Sequence, residues 1–555
     1  YRFMAFFNNS RDEDTFSDYP VLRTLDSVQQ QKLKHLHSWL EENAEAGQIK
    51  EIEHFIKTWQ PSVNSLISDK FVNSELADTK WLVFRNHSSS RLKSMNLTGK
   101  NRLIYRYRSF LPGGNLQLHE NAVDGPLICD IQIEDSKGKW AYREVELKPS
   151  EGVSDLYFTY NNRNLKDSLK NGLMFDWFYF TSAFPGKGRD QYQEAKDLYW
   201  DLITASTDQT PIMQENPANW MRTTYVFDRG NWLTHGDTVT AGVPAFMNPL
   251  PVDLPANRLG LAYWLADAKN PLTARVYINR IWEQLFGVGL VETLEDFGSQ
   301  GIPPVNQNLL DHLAWKFMHD FDWSTKALLK YIVASATYRQ SSFSSDETLN
   351  KDPENKYLSR SPRVRLSAEQ IRDQALMVSG LLNEEMYGPS VMPFQPDRIW
   401  NSPYNGRKWI ESTDGQQYRR ALYTYWKRTS PYPSMLLFDM MAREVCTPRR
   451  INTNTPLQAL VTLNDSVYVE AAARFAKCMI DEGGSNLEDQ LKYGYRKMLF
   501  KEIPDDKLNV LTDLYANMSA NPDSKEEMNN AGEHLRKMKI IANTMFNLDE
   551  LVTKN

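Results

Sequence analysis

At 555 residues the chain is several times the size of a typical domain, so two to four domains are expected rather than one core. Hydrophobic residues make up 41% and charged residues 24%, near the globular average, and no run of about 18 apolar residues occurs, so the sequence offers no transmembrane segment. Lys plus Arg number 64 and Asp plus Glu 70, a formal charge of −6; no global field favours a polyanion, and nucleic acid is not an expected partner.

The chain opens on Tyr1 without an initiator Met, and 1–19 (YRFMAFFNNSRDEDTFSDY) reads as the middle of a structured, aromatic-rich segment. Upstream domains, and any signal peptide, are therefore expected to precede it, which makes 1–77 the end of an upstream helical domain. From Leu25 to about Ile67, apolar Leu33, Leu36, Leu40, Ile52, Phe55 and Ile56 recur at helical spacing. Between 78 and 183 the pattern changes to short alternating runs (LIYRYRSF, LICDIQIED, WAYREVELK, VSDLYFTYN, MFDWFYF) broken by PGG, DGP, SKGK and PSEG turns, which predicts an all-β jelly-roll sandwich. The segment 184–255 shows little periodicity and several Pro and Gly, and reads as a connection with functional loops.

From 256 the helical period returns, first through Leu259, Leu261, Trp264 and Leu265, then through Val276, Ile281, Trp282, Leu285 and Phe286. Further helices are expected over 308–321, 324–338, 367–382, 456–480 and 487–551, with a capping box at Ser367 and Gln370 and a start signal at Ser324. The fold class is thus multidomain α+β, a mostly α-helical C-terminal domain plus the sandwich. Only Cys129, Cys446 and Cys478 occur, without CxxC or CxxCH spacing, so this segment holds no covalent haem, and the compartment stays open on this count. GxSxG, Walker A, GxGxxG and EF-hand loops are missing as well.

Two stretches carry a resemblance. NPLTARVYINRIWEQLFGVGLVETLEDFGSQGIPP with the later LLDHLAWKFMHDFDWSTKALLKYIVASATYRQSS, together with RLSAEQIRD, YGPSV, YTYWKRTSPYPSMLLFD and CTPRRINTNTPLQALVTLND, resembles the planctomycete cytochrome-c-associated family of unknown function, in its C-terminal domain. The opening YRFMAFFNNSRDED resembles the end of that family's preceding domain. The resemblance implies a c-type haem domain, and a signal or lipoprotein peptide, upstream or in a partner. It also implies an extracytoplasmic place in the periplasm or at the outer membrane, other envelope proteins as partners, and a redox link to polysaccharide catabolism.

GPLICDIQIEDSKGKWAYREVEL, GVSDLYFTYNN and FDWFYF, with Asp176, Trp177 and Phe178, are similar to a family-six carbohydrate-binding module. That implies a glycan ligand and leaves room for calcium in the sandwich. Such modules stack an aromatic face on a pyranose ring while Asn or Asp takes the hydroxyls, so Trp140, Tyr142, Asn161 and Asn162 are the candidates, against a plain strand role for Trp140. The 12% aromatic content, with 15 Trp and 26 Tyr, suits either sugar surfaces or helix packing.

In the family-like region Arg229, Arg275, Arg280, Arg339, Arg372, Arg449 and Arg450 accompany Asn279, Asp296, Glu369, Asp373 and Asn464. One reading pairs Arg280 with Asp296, and Arg372 with Glu369 or Asp373, as buried ion pairs holding helices together. The other converges several guanidiniums on an anionic or polyhydroxylated ligand, with Arg449 and Arg450 foremost because their CTPRRINTNTP loop favours presentation. In LTHGDTVTAG the His235 imidazole beside the Asp237 carboxylate could act as a base or a metal ligand, although one His with one Asp is too few for a metal site, against a plain solvated loop His. His312 and His319 are seven apart, unlike HExxH, and His35 and His37 read as surface residues.

Three functions are weighed. The first is a carbohydrate-binding, redox-linked component with His235, Asp237, Arg449 and Arg450 as catalytic candidates; whether it is an enzyme stays open. The second is a non-catalytic glycan-binding or scaffold subunit of an envelope complex. The third is a hydrolase using Asp296 and Glu369.

Overall fold

The computed structural model describes residues 1–11, 19–60, 62–78, 80–167, 169–397, 399, 408–518 and 530–554. Parts of the opening segment (12–18) and of the expected C-terminal helix (519–529) lie outside the described residues. The chain divides into two compact units, Tyr1–Leu265 and Ala266–Asn555. The first holds an all-β sandwich and the second is mostly helical, so the protein is a multidomain α+β chain.

In the first unit, α1 (Ser27–Asn43) and α2 (Ala46–Thr58) precede the strands. The sandwich is built from β1 (Val63–Asn64), β2 (Ser68–Ala77), β3 (Trp81–Asn96), β4 (Arg102–Ser109), β5 (Gly114–Glu120), β6 (Leu127–Ile133), β7 (Ala141–Glu146), β8 (Val153–Asn162) and β9 (Leu173–Thr181). Their hydrogen-bonded order is β6-β5-β8-β3-β9-β4-β7, with β1 beside β9 and β2 beside β3. The 16-residue β3 serves both layers: Leu82–Phe84 pairs with β9, whereas Ser88–Asn96 pairs with β8. Alternate residues such as Leu103, Tyr105, Leu116, Leu118, Leu156 and Phe158 fill the space between the layers. The sandwich therefore begins at Val63, ahead of the expected boundary at 78.

β9 does not alternate, and every residue from Leu173 to Phe180 is buried. Phe175, Phe178 and Phe180 point into the sandwich, while Trp177 and Tyr179 point outward under a helical cover. That cover comprises α1, α2 and α3 (Tyr192–Thr204), which contribute Leu36, Leu40, Phe55, Ile56, Tyr199 and Leu202. Phe55 stacks on Tyr179 with ring centroids 3.6 Å apart. α3 corrects the reading of 184–255 as an extended connection: Ala195, Tyr199, Leu202 and Ile203 recur at helical spacing and bury against the sheet.

Arg23 fastens this cover. Its guanidinium donates to the carbonyls of Ile56 (2.7 Å), Leu202 (3.0 Å) and Ala205 (2.8 Å), at the ends of α2 and α3, and lies 4.4 Å over the Trp59 ring. Helix C-termini leave unpaired carbonyls, and one cation answers several of them here. Burial lowers the Arg23 pKa to about 10. His37, expected on the surface, joins α1 to α2 through Glu53 at 2.5 Å.

Beneath the cover, Arg106 of β4 forms an ion pair with Asp176 of β9, and both bond the Tyr19 hydroxyl at 3.0 Å. Burial pushes the Asp176 carboxyl up, against the pull of Arg106.

The second unit is made mainly of helices. α4 (Thr273–Phe286), α5 (Gln307–His319) and α6 (Thr325–Val333) share one core around Ile278, Trp282, Leu313 and Leu328. A second core joins α7 (Ala368–Val378), α8 (Pro456–Asn464), α9 (Ser466–Glu482), α10 (Leu487–Leu499), α11 (Asp505–Asn517) and α12 (Asn530–Met545) around Phe475, Met479, Leu491 and Ile541. The Ser367–Gln370 capping box and the Ser324 cap are both formed. No helix among the described residues is long and apolar enough to cross a membrane.

Replacing Asp176 with Ala leaves the Arg106 charge under the helical cover without its counter-ion, and should cost about 3–5 kcal/mol of stability. Urea unfolding followed by tryptophan fluorescence checks this, with the midpoint falling while the folded-state spectrum is retained.

Candidate functional site

In the sandwich, strand parity decides which candidates can meet. Trp140 and Tyr142 flank the start of β7, whose Tyr142 opposes Arg106 on β4, and their side chains lie on the outer face of that layer. Asn162 shares its inward parity with Phe158 and Tyr160 and is 1% exposed. Its amide donates to the Tyr160 hydroxyl (2.9 Å) and accepts the Asn164 N–H (2.9 Å). Asn161 faces solvent from the other layer, opposite Asn115 on β5. Asn161 and Asn162 therefore do not join Trp140, because one residue's step along a strand reverses the side chain and the two layers present opposite faces.

What does gather around Trp140 is cationic and aromatic. The Arg106 and Arg108 guanidiniums lie 5.0 and 4.9 Å from its ring centroid, and Trp81 is 6.0 Å away at a 47° tilt. Lys80 lies 4.7 Å over Trp81. Arg106 is committed to Asp176 and Tyr19, whereas Arg108, half-buried, has no hydrogen-bond or ion-pair partner among the described residues. Tyr142 packs toward Trp177 (5.9 Å), inside the helical cover. The candidate surface is thus Trp81, Trp140 and Arg108. Trp81 and Arg108 escape sequence reasoning because only the register of β3, β9 and β4 sets them beside Trp140.

His235 and Asp237 lie on an exposed hairpin of β10 (Thr224–Phe227) and β11 (His235–Val239). The His235 ring stacks on Tyr225 at 4.4 Å, and Arg229 occupies the turn with φ of 48°. This hairpin belongs to the first unit, and Arg449 and Arg450 belong to the second. Among the described residues no group of three His, Cys, Asp or Glu side chains is placed to hold a metal ion. In the sandwich, Asp69 and Asp155 both pair with Arg91.

In the second unit the expected arginine pairs are rearranged. Arg450 grips Glu369 through two bonds of 2.6 and 2.8 Å. Arg372, 1% exposed, donates to the carbonyls of Arg419 (2.9 Å) and Gln417 (2.7 Å) rather than to Glu369 or Asp373. Asp373 accepts the Ala421 N–H at 2.6 Å and sits 3.6 Å from Arg420. Glu369, Arg372 and Asp373 therefore share one face of α7, at i, i+3 and i+4; Glu369 pins the loop at Arg450, and Arg372 and Asp373 together pin the stretch from Gln417 to Ala421. Near neighbours in sequence pointed to one another, but this face looks outward to partners about fifty to eighty residues away.

No ion pair joins Arg280 to Asp296; Arg280 is exposed, and Asp296 accepts the Gly298 N–H at 2.6 Å. Arg275 pairs with Asp311, Arg449 with Glu295 at 3.5 Å, and Arg339 is exposed. Asn279, fully buried, clamps Val291 through two bonds of 2.8 Å, and Asn464 bonds the Leu460 carbonyl. His312 stands at an apolar groove of about 670 Å³ beside Trp282, Leu309 and Tyr331. A polar pocket of about 160 Å³, missed in the sequence, is lined by Arg365, Asn454, Gln458, Thr462 and Asn547, with Arg365 bonded to Gln458 at 2.5 Å.

A glycosidase acid needs a raised pKa. Burial pulls Glu369 upward, but the bonds from Arg450 outweigh it and hold the carboxyl below its usual value. Glu369 is thus held as an anion paired with Arg450.

Residues 257–515 match a family model described as a protein of unknown function, DUF1553. No curated protein matches the chain. Among solved structures it is similar to a family-six carbohydrate-binding module from Clostridium stercorarium in complex with cellobiose (13% identity, 22% of this chain and 93% of that one, TM-score 0.19). A xylose complex of such a module from Clostridium cellulolyticum gives 17% identity over 21% and 92%, TM-score 0.18. A β-1,3-glucan-binding module from Bacillus halodurans gives 14% over 22% and 95%, TM-score 0.19.

Because the folded-state pKa of Glu369 is depressed, its pairing adds stability above the unfolded-chain value of about 4.3, and that stability is lost as pH falls through the folded value. Glu369→Gln should lower stability by roughly 1–3 kcal/mol at neutral pH. The gap to the parent should close on acidification, as read by urea unfolding between about pH 3 and 7.

Proposed function

We propose that this chain is an extracytoplasmic carbohydrate-binding component of polysaccharide catabolism, redox-linked through a c-type cytochrome domain upstream or in an envelope partner. The observation that carries the carbohydrate part is the outer sandwich face, where half-buried Trp140 stands beside Trp81 and the unpartnered Arg108. An indole face supplies an apolar plane for the C–H side of a pyranose, and a guanidinium supplies donors in a fixed fork for hydroxyl or carboxylate oxygens. Packing against Arg106 and Arg108 orients the Trp140 ring before any sugar arrives, which lowers the ordering cost of binding.

The redox link rests on the resemblance of the helical region to the cytochrome-associated family, and electrons would pass through the haem domain rather than through residues described here. Catalysis by Asp296 and Glu369 is not part of this reading, since Glu369 is committed to Arg450.

Affinity electrophoresis in gels containing xylan, laminarin, hydroxyethylcellulose or polygalacturonate tests the carbohydrate reading. The parent chain should be retarded in at least one gel. Trp140→Ala should lose at least about tenfold in affinity, as expected for an aromatic anchor, and Arg108→Gln should lose less. Unretarded migration of the parent in every gel, or Trp140→Ala binding as tightly as the parent, would remove the sandwich face as the glycan site.

A further inference from the structure

Away from the sandwich, the second unit brings a thiol, an amine, a phenol and a carboxylate together on the surface. Cys478 lies near the end of α9, and Lys497 and Tyr493 lie on α10, after the short turn through Gly483 and Gly484. Lys497 Nζ is 2.7 Å from Cys478 Sγ and 2.9 Å from the Tyr493 hydroxyl. Glu482 faces both groups: Oε1 lies 3.1 Å from Sγ, and Oε2 lies 3.4 Å from Nζ and accepts the Tyr493 hydroxyl. Cys478 and Lys497 are each partly exposed, so small oxidants reach them from solvent.

The Nζ–Sγ separation is informative. It falls at the short end of the range for an N–H···O bond, although sulfur is the larger acceptor. A single bridging atom holds its two neighbours at about this separation. Cys129 shows the ordinary alternative: it is buried, its thiol is pushed up to about 11 by burial, and it points at the Glu146 carbonyl.

We propose that Cys478 and Lys497 are a modification site at which dioxygen installs a covalent sulfur–oxygen–nitrogen bridge, stapling α9 to α10. In the balanced step, the Lys497 ammonium and the Cys478 thiol react with one dioxygen. An S–O and an O–N bond form; the S–H bond, two N–H bonds and the O–O bond break. Sulfur and nitrogen each give up two electrons, and both oxygen atoms are reduced. One oxygen stays as the bridge, the other leaves as water, and one proton passes to solvent along Tyr493 and Glu482. Cross-linking two helices restricts the unfolded chain, so the bridged form is the more stable one.

The test uses the full chain, reduced with a phosphine, freed of reductant and divided between oxygen-saturated and anaerobic buffer. Intact mass spectrometry should show a gain of about 14 Da, one oxygen added and two hydrogens lost, only in oxygen and reversed by dithiothreitol. Peptide mapping should join the segments holding Cys478 and Lys497, and the oxidised chain should melt several degrees higher than the reduced one. Cys478→Ser and Lys497→Arg should each abolish the gain while keeping the parent's reduced melting curve. An unchanged parent mass in oxygen would overturn the proposal, as would the same 14 Da gain surviving in Lys497→Arg. A gain of about 16 Da instead, marking a sulfenic acid without a bridge, would overturn it too. Equal melting of the oxidised and reduced parent would overturn the stapling role.

Discussion

The first unit depends on one buried charge pair, Arg106 with Asp176, closed by the Tyr19 hydroxyl. A sandwich strand ordinarily turns one face to water, and polar side chains on that face need no partner. β9 has no such freedom, because its outward residues lie under three helices. Any charge there must be matched locally, since a buried ion without its counter-charge loses several kcal/mol. The pair thereby fixes β4 against β9 and seats the segment holding Tyr19. The same guanidinium extends over Trp140 and Tyr142, so the covered part of the face orients the part left open.

Arginines divide the chain's structural chemistry from its binding chemistry. Arg23, Arg372 and Arg419 spend their donors on main-chain carbonyls: Arg419 holds those of Glu385, Tyr387 and Pro389 while stacking 3.8 Å over Tyr423. Loops without secondary structure have carbonyls to satisfy, and a buried fork with five N–H groups serves several at once. In the second unit this makes α7 an organiser of irregular chain. Its Glu369 reaches the loop around Arg450, and its Arg372 and Asp373 both reach the stretch from Gln417 to Ala421. Of the arginines in the family-like stretches, Arg372 holds loop carbonyls, Arg275, Arg449 and Arg450 pair with carboxylates, and Arg280 and Arg339 are exposed. Arg108 stands apart because no hydrogen bond or ion pair among the described residues occupies its side-chain donors.

Local signals were legible in the sequence. The Ser367–Gln370 box and the Ser324 cap follow from residues three apart, and the sandwich strands follow from alternation wherever one face meets water. Legibility fails where two layers meet. β9 loses its period because both faces are buried, and α3 was hidden because Pro- and Gly-rich chain surrounds a single amphipathic stretch. For the candidate surface, residue type and turn context in the sequence point to Trp140. Asn162 was misjudged, although the inward parity it shares with Phe158 and Tyr160 was already present in the run DLYFTYNN. Arg108, Trp81 and the Cys478–Lys497 contact were out of reach, since each depends on a register or a helix crossing that no local pattern encodes.

The helical cover also determines what kind of binding surface the sandwich can offer. A free sandwich would present the whole outer face of β9, β4 and β7, including Trp177, Tyr179 and Tyr142, to a glycan. Here α1, α2 and α3 cover that face near Trp177 and Tyr179, and Trp81, Trp140 and Arg108 form a strip beside them. Under the proposed carbohydrate reading, a strip of two indoles and one guanidinium would accommodate a short stretch of sugar and not a long flat chain, so affinity for a polymer would have to come from repeated engagement. Excising the strands alone would bare Trp177 and leave the Arg106–Asp176 pair open to water, altering the very residues that orient Trp140. The strip and the helical cover are thus linked through Arg106, and the strands and the helices on both sides of them in sequence fall within a single compact unit.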